Sequence, residues 1–320
     1  MELVWRSLTT ADTSVVAALH NAAALADGTG KPRSEQDFAE SFARPGLAGR
    51  SVGVSVDGVL TGYGVFEPRD NPVGAHRVRL DGVVHPEFRR RGIGSLLMQR
   101  LISTAREVHR ALHPAMPLVV CAMVETCSAS HVALVEKLGF TADRHFHTLE
   151  VALGESLAQV PVPAGYEVVP YSPARDEEVR LASNEAFTGH WGSVDRSPQE
   201  WAESFTDSAR FAPDTSFLAL NDGAVVAFVL SRHQRAVEET TGVRELWIGD
   251  VGTLAGHRGR GVASALLSRT LTRGRAQGYQ RAGLSVDAAN STGALGVYER
   301  AGFGMARTVV DYGLRVKPTG

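Results

Sequence analysis

The chain contains Arg89-Arg90-Arg91-Gly92-Ile93-Gly94, and 169 residues later (258 − 89 = 169) it contains Arg258-Gly259-Arg260-Gly261-Val262-Ala263. Each stretch follows an apolar run typical of a strand and precedes a segment whose apolar residues recur at helical spacing. The first turn of a helix has N–H groups without a helical acceptor, and its dipole favours an anion there. Glycines let a ligand approach the backbone closely. The pattern therefore predicts a strand–loop–helix unit, present twice, that can hold a pyrophosphate.

Two further local similarities extend the repeat in the same order. The turn Asp57-Gly58 is matched by Asp222-Gly223 (222 − 57 = 165), and Gly139-Phe140 is matched by Gly302-Phe303 (303 − 140 = 163). Between the halves lies Gln159–Gly165, where two prolines oppose helix and favour an extended linker. The chain is therefore predicted to use one fold twice, in domains of residues 1–155 and 164–320.

Each half has the same order of predicted elements: a helix, a hairpin, a strand, the glycine-rich loop with its helix, a further strand and a final helix. Asp-Gly between apolar runs is a strong hairpin signal, because glycine tolerates positive φ. This order favours an α/β (α+β) fold over a bundle or a sandwich. The predicted elements before and after the loop helices are Ser14–Ala26, Val52–Val56, Val59–Phe66 and Leu118–Met123 in the first half, and Asp176–Phe187, Phe217–Leu220, Ala224–Leu230 and Ala282–Val286 in the second.

Composition narrows the class of protein. The 320 residues include 33 Lys+Arg and 35 Asp+Glu, so the formal charge is −2, without the basic excess usual in nucleic-acid binders. With 43% hydrophobic and 21% charged residues the chain is typical of a soluble globular protein. No apolar run approaches the roughly 20 residues of a membrane span, and no secretory signal is recognisable. Two cysteines suit a reducing compartment. We therefore expect a cytoplasmic protein.

The loop motifs resemble the acetyl-CoA signature of the GNAT N-acetyltransferase superfamily, Gln/Arg-x-x-Gly-x-Gly/Ala. The second half adds the family's later pattern, with Asn290, Tyr298 eight residues on, and Gly302-Phe303 closing the last helix. The resemblance covers nearly the whole chain. It implies two tandem GNAT domains, each a splayed mixed sheet flanked by helices, with acetyl-CoA in the gap between two central strands.

The resemblance also implies roles for particular residues. Tyr298 would protonate the leaving thiolate, and backbone N–H groups near Val251 and Thr253 would stabilise the oxyanion. Some family members carry a basic Glu eleven residues before the motif, but 258 − 11 gives Trp247 here. Glu245 and Asp250 are therefore the candidate bases, and a water relay is an equal alternative. Asp250 would lie on the face opposite position 247 unless a bulge intervenes.

The halves are unequal at the later positions. Cys127 stands where the second half has Asn290 (290 − 163 = 127), and Val135 stands where it has Tyr298 (298 − 163 = 135). We therefore expect catalysis in the second half. The predicted cofactor-binding residues are Val83, Val84, Arg89, Arg90, Arg91, Gly92, Ile93 and Gly94 in the first half, and Val251, Gly252, Thr253, Arg258, Gly259, Arg260, Gly261, Val262, Ala263, Ser264 and Asn290 in the second. The predicted substrate residues are His190 and Trp191.

The expected activity is transfer of an acetyl group from acetyl-CoA to a primary amine of a small molecule through a ternary complex. The two-domain arrangement also resembles the mycothiol synthases, which acetylate a cysteinyl pseudodisaccharide, although Trp247 departs from their strand carboxylate. A non-catalytic acyl-CoA sensor is a further alternative, which the retention of Asn290 and Tyr298 disfavours. We expect no metal, nucleic acid or membrane partner, and a monomer or homodimer.

Overall fold

A computed structural model of the chain describes residues 2–29, 32–43, 50–68, 72, 74–155, 157–191, 193–290 and 293–316. The chain forms two compact units, of which unit 1 comprises Met1–Phe146 with Arg307–Gly320 and unit 2 comprises His147–Ala306. The final strand of unit 1 is thus supplied by the C-terminus of the chain. The ranges 1–155 and 164–320 describe the repeats along the sequence, and as domain boundaries they stay a prediction.

Unit 1 is a mixed sheet with helices on both faces. Its strands are ordered β1-β2-β3-β4-β5-β12, and β4 is parallel to β5 whereas the other neighbours are antiparallel. The elements that begin in unit 1 are β1 (Val4–Arg6), α1 (Thr13–Asp27), α2 (Glu35–Ala43), β2 (Ser51–Val56), β3 (Val59–Pro68), β4 (His76–Val84), α3 (Ile93–Leu112), β5 (Leu118–Glu125), α4 (Ala129–Lys137) and β6 (Thr141–Ala152).

Unit 2 has the same plan. Its strands are ordered β6-β11-β10-β9-β8-β7, and β10 is parallel to β11. The elements that begin in unit 2 are β7 (Glu167–Pro170), α5 (Asp176–Ala186), α6 (Pro198–Ser204), β8 (Phe217–Asn221), β9 (Ala224–His233), α7 (Arg235–Thr241), β10 (Glu245–Thr253), α8 (Val262–Ala276), β11 (Arg281–Asp287), α9 (Ala294–Arg300) and β12 (Gly304–Val316).

The sheet of unit 2 buries apolar side chains on both faces. One core contains Leu266 of α8, Tyr298 of α9 and Val229 of β9, and the other contains Val179 of α5 with Phe228 of β9. Because neighbouring side chains along a strand point to opposite faces of the sheet, Phe228 and Val229 pack in different cores. Within the described residues, no helix is long and apolar enough to cross a membrane. The predicted α/β class and tandem plan are confirmed.

Candidate active site

The glycine-rich loop of unit 2 joins the end of β10 to the start of α8. Gly259 and Gly261 have φ of +73° and +82°, a left-handed conformation that favours glycine. A Cβ atom added at Gly259 would have no neighbour within 4 Å, and one at Gly261 would meet only Pro163, at 3.8 Å. The first-turn N–H groups of α8 have no helical acceptor. The loop therefore offers open space and backbone donors, which fits the pyrophosphate of a CoA thioester.

Arg258, the first residue of the motif, ties the loop to its surroundings. Its Nε donates to the carbonyl of Thr253 at 2.9 Å, and its Nη2 donates to the carbonyl of Ala186 at 2.9 Å. The guanidinium thus joins the end of β10 to the end of α5. The predicted cofactor contact of Arg258 stays a prediction, and the observed contacts give this side chain a positioning role.

The two central strands of unit 2 separate beside the loop. The ladder between β10 and β11 ends at Ile248 and Leu284, although both strands continue beyond these residues. Leu254 donates its N–H to Val226 of β9, so by alternation the N–H groups of Val251 and Thr253 point away from β9, towards the gap. The backbone donors named from the sequence therefore face a splayed gap.

Asp250 reaches the face predicted for the base because β10 contains a bulge. The register with β9 shifts between Ile248 and Asp250, which leaves Gly249 as the extra residue. Trp247 is paired with Arg232 and Asp250 with Leu230, two residues apart on β9, so Trp247 and Asp250 share a face. The bulge that Asp250 needs in order to share a face with Trp247 is therefore present.

The carboxylate of Asp250 is held by an arginine from the segment before α6. The Nη1 of Arg196 lies 2.7 Å from Oδ2 of Asp250, whose side chain is 15% exposed. Arg196 is itself positioned by Asn184, because its N–H donates to Oδ1 at 2.9 Å and its carbonyl accepts from Nδ2 at 3.1 Å. This Asn–Arg–Asp set was missed by the sequence predictions.

Tyr298 lies on α9 in the core that α8 covers. It is 8% exposed, and its ring packs edge-on against Phe303. Burial, followed by the negative charge of Asp250, raises the pKa of the Tyr298 hydroxyl to about 12. The phenol therefore stays protonated at neutral pH, as a proton donor requires. The hydroxyl of Tyr298 therefore lies within electrostatic reach of Asp250, and the catalytic roles of the two residues stay predictions.

Glu245 lies away from the glycine-rich loop, at the opposite end of β10. It begins β10, six residues before Val251, which corresponds to about 20 Å of strand. Its side chain is buried and paired with Arg281, whose Nη2 lies 2.5 Å from Oε2. Glu245 is therefore held as an ion-pair partner at the start of β10, and its assignment as a base stays a prediction that this pairing does not favour.

The remaining predicted residues follow α5 or β11 in the chain. His190 packs against Phe187, and its pKa is lowered by burial and by Arg258, against the opposing effect of Asp287. His190 thus lies near the loop arginine and near the end of β11. Trp191 is 38% exposed. Asn290 follows β11 in a turn, where its N–H donates to the carbonyl of Asp287 at 3.0 Å.

Unit 1 repeats the loop geometry. Gly92 has φ of +83°, and Arg90 has φ of +63°, the conformation that Gly259 has in unit 2. Arg89 donates from Nε to the carbonyl of Val84 at 3.1 Å, and its terminal nitrogens bind Asp27 at 2.6 and 3.0 Å. The anchor of the loop is thus a carboxylate in unit 1 and a helix-end carbonyl in unit 2.

The neighbouring strands of unit 1 also separate. The ladder between β4 and β5 ends at Leu80 and Ala122. The predicted residues Val83 and Val84 close β4, and His85 donates its N–H to Thr61, so the N–H of Val84 points away from β3. The register between β3 and β4 is continuous from Val84 to Val78, without the bulge of unit 2.

Unit 1 also contains a second Asn–Arg–Asp set. Arg33 exchanges the same two hydrogen bonds with Asn21, at 2.9 and 3.0 Å, and it lies 3.9 Å from Asp81. The repeat offset would have revealed the set, because 184 − 21 and 196 − 33 both equal 163. The segments from Asn21 to Arg33 and from Asn184 to Arg196 have little apolar periodicity, so local pattern does not predict the set.

The fold and the site place the chain in a family. Residues 17–140 and 177–303 match the Acetyltransferase (GNAT) family. The chain belongs to this family, with two copies of its domain, and it is an acetyl-CoA-dependent N-acetyltransferase. Among the residues that the structure describes, no group of three or more His, Cys, Asp or Glu side chains could hold a metal ion.

Several known proteins are similar along their whole length. The mycothiol acetyltransferase of Thermobispora bispora is 31% identical over 313 residues, 95% of each chain. The mycothiol acetyltransferase of Thermomonospora curvata is 33% identical over 95% of this chain and 93% of its own. Among solved structures, a GCN5-related N-acetyltransferase from Sphaerobacter thermophilus has a TM-score of 0.80 at 26% identity, over 99% of this chain and 96% of its own. A tandem GNAT protein from the clavulanic acid biosynthesis pathway has a TM-score of 0.73 at 20% identity, over 100% of both chains.

Proposed function

We propose that unit 2 transfers the acetyl group of acetyl-CoA to a primary amine of a small molecule, through a ternary complex. The observation that carries the proposal is the splayed gap between β10 and β11 beside the glycine-rich loop, with the negative charge of Asp250 acting on the hydroxyl of Tyr298. Unit 1 has the loop but carries Val135 in place of Tyr298. We assign catalysis to unit 2 for this reason.

The backbone of unit 2 supplies binding and electrostatic stabilisation. The N–H groups from Gly259 to Ser264 would hold the pyrophosphate, and Arg258 would keep the loop in place. Acetyl-CoA supplies the activated thioester. The N–H groups of Val251 and Thr253 would stabilise the negative charge on the carbonyl oxygen, a contribution worth about 3 kcal/mol per donor in other enzymes.

Two side chains accept and donate the protons of the reaction. An alkyl ammonium has a pKa of about 10.4, so the amine must lose a proton before it attacks. Asp250 accepts this proton, directly or through water, while Arg196 holds the carboxylate in position. Tyr298 donates its hydroxyl proton to the departing sulfur, and this donation suits a phenol that burial keeps protonated.

The relatives suggest one acceptor in particular. The curated relatives named mycothiol acetyltransferase cover almost the whole chain, which favours a cysteinyl pseudodisaccharide as an alternative to other amines. Trp247 stands where a base carboxylate would be expected in that group, which favours a different acceptor. We keep the mycothiol-type amine as the second candidate.

A thiol-release assay with acetyl-CoA tests the proposal. The purified chain would be incubated with a panel of amines that includes amino acids, polyamines, aminoglycosides and the cysteinyl pseudodisaccharide. We expect amine-dependent release of CoA with at least one class, and an acetylated product of the matching mass. Release of CoA without an acetylated amine, or no release with any amine, would contradict the proposal.

A further inference from the structure

Arginines are concentrated around the carboxylate of Asp250. The guanidinium of Arg232 lies 4.6 Å from the centre of the Phe205 ring, and that of Arg196 lies 5.5 Å from the same ring. The charges of Arg196 and Arg210 both act on Arg232. Arg196, Arg210 and Asp250 therefore all lie within electrostatic reach of Arg232. We call the set Arg196, Arg210, Arg232 and Asp250 the arginine cluster.

Arg232 is the member whose charge is least compensated. Its Nε is buried and has no hydrogen-bond partner among the described residues. Asp250, the carboxylate that acts on it, is already paired with Arg196 at 2.7 Å. Burial, and then the charges of Arg210 and Arg196 against that of Asp250, lower the pKa of Arg232. A buried donor without an acceptor is costly, and an anion beside the guanidinium would offset its uncompensated charge.

At the equivalent positions of unit 1, the positive and negative charges balance each other. Asp81 is paired in register with Val65, and Asp250 is paired with Leu230. Two residues beyond Val65 on β3 lies Glu67, and two residues beyond Leu230 on β9 lies Arg232. Glu67 is the ladder partner of Arg79 and forms an ion pair with it.

In unit 2 the ladder partner of Arg232 is Trp247. An acid–base pair has thus been replaced by an arginine and an indole. The replacement removes one negative charge from the sheet face that carries Asp250. It is confined to unit 2, where Tyr298 also lies.

We infer that the acceptor of unit 2 carries an anionic oxygen group, a carboxylate or a phosphate, in addition to its amine, and that this group binds at Arg232. Arginine suits both anions because its fork of N–H donors matches their oxygens. Leu230 and Arg232 are two residues apart, which is about 7 Å along the strand. The amine would therefore lie at Asp250 while the anionic end extends away from the loop. The inference rests on the proposed function and names the substrate class of the same site.

Matched pairs of amines test the inference. β-Alanine would be compared with its amide, and O-phosphoethanolamine with ethanolamine, in the thiol-release assay. We expect kcat/KM to be higher for the anionic member of at least one pair. The R232Q substitution should lower that anionic-to-neutral ratio by about 10- to 100-fold, mainly through KM, because it removes a charged hydrogen bond. The phosphate and carboxylate pairs distinguish the two anions.

Two further variants complete the test. R269Q, at an exposed position of α8, is the matched control and should leave the ratio unchanged. R232E restores the charge found at Glu67 and should reverse the preference, while turnover of the neutral amines reports that the variant is folded. A wild-type ratio of one in both pairs, or an unchanged ratio in R232Q, would overturn the inference and leave the proposed function standing. No turnover with any amine would contradict the proposed function itself.

Discussion

The two units share a loop backbone and differ in the side chains around it. Gly92 and Gly261 have φ of +83° and +82°, and in both loops an arginine Nε holds the last carbonyl of the preceding strand. The later positions of the motif differ in kind, with Val135 against Tyr298 and Cys127 against Asn290. The loop backbone is thus shared by both units, while the tyrosine that we propose as the proton donor is present in unit 2. The shared loop therefore predicts anion binding in both units, and the difference at Tyr298 is the basis on which we assign catalysis to unit 2.

The Asn–Arg–Asp sets extend the same comparison. The side chain of Asp81 is 51% exposed and lies 3.9 Å from Arg33, whereas that of Asp250 is 15% exposed and lies 2.7 Å from Arg196. The bulge at Gly249 accompanies the tighter arrangement, and unit 1 lacks it over the register described. The same three residue types are thus packed closely in the unit to which we assign catalysis and loosely in the other.

The largest expected effect comes from the hydroxyl of Tyr298. Tyr298→Phe should lower kcat by about 10²- to 10⁴-fold with little change in acetyl-CoA affinity, because a general acid acts in the transition state. Steady-state kinetics with calorimetric binding would measure both. Tyr279→Phe is the control, because Tyr279 lies in the same core. Equal kinetics for the two variants, with chemistry rate-limiting, would remove Tyr298 from the mechanism.

A smaller effect is expected at the paired aspartates. Asp250→Asn should lower kcat/KM by about 10- to 100-fold, because it removes the proton acceptor and leaves Arg196 without its carboxylate. Asp81→Asn makes the same change in unit 1 and should alter turnover less than twofold. A comparable loss in both variants would show that the two units act together in catalysis.

The smallest effect concerns stability in acid and belongs to unit 1. The Nδ1 atoms of His76 and His109 lie 3.0 Å apart, and burial, followed by the charge of His113, lowers the pKa of His109. The unfolded chain then binds a proton more readily than the folded one, so stability is lost as pH falls below about 6.5.

Thermal unfolding between pH 7.5 and 5.5 would measure this loss. We expect the Tm of the wild type to fall by a few degrees over this range, and His109→Gln to flatten the dependence. His145→Gln changes an exposed histidine and should leave the wild-type slope intact. An unchanged slope in His109→Gln would assign the acid sensitivity to other groups, such as His131, His190 and His233, whose pKa values are also lowered by burial.

Long periodic elements were well predicted from the sequence. The first helix was predicted over Ser14–Ala26 and spans Thr13–Asp27, and the first hairpin turns at Asp57-Gly58 as predicted. The helices Glu35–Ala43 and Pro198–Ser204 were missed, because helices of nine and seven residues contain too few apolar repeats to show a period.

Contacts that depend on distant parts of the chain were beyond local pattern. The C-terminal strand pairs Val309 with Glu125. This pairing joins distant parts of the chain, and the turn residues of the sequence do not predict it. Arg196 reaches Asp250 across 54 residues of sequence, and the bulge that orients Asp250 depends on pairing with β9. The loop could be predicted because its arginines and glycines lie within six neighbouring residues of the chain.

The central claim is that unit 2 carries the reaction, and one pair of variants tests it most directly. Gly92→Glu and Gly261→Glu place the same acidic side chain at matching left-handed positions, so the backbone strain is equal and each should repel the cofactor phosphates at its own loop. Turnover of acetyl-CoA would be measured beside calorimetric binding, with circular dichroism to confirm folding. We expect turnover to vanish in Gly261→Glu and to persist in Gly92→Glu. Turnover that survives Gly261→Glu but is lost in a folded Gly92→Glu protein would contradict the account.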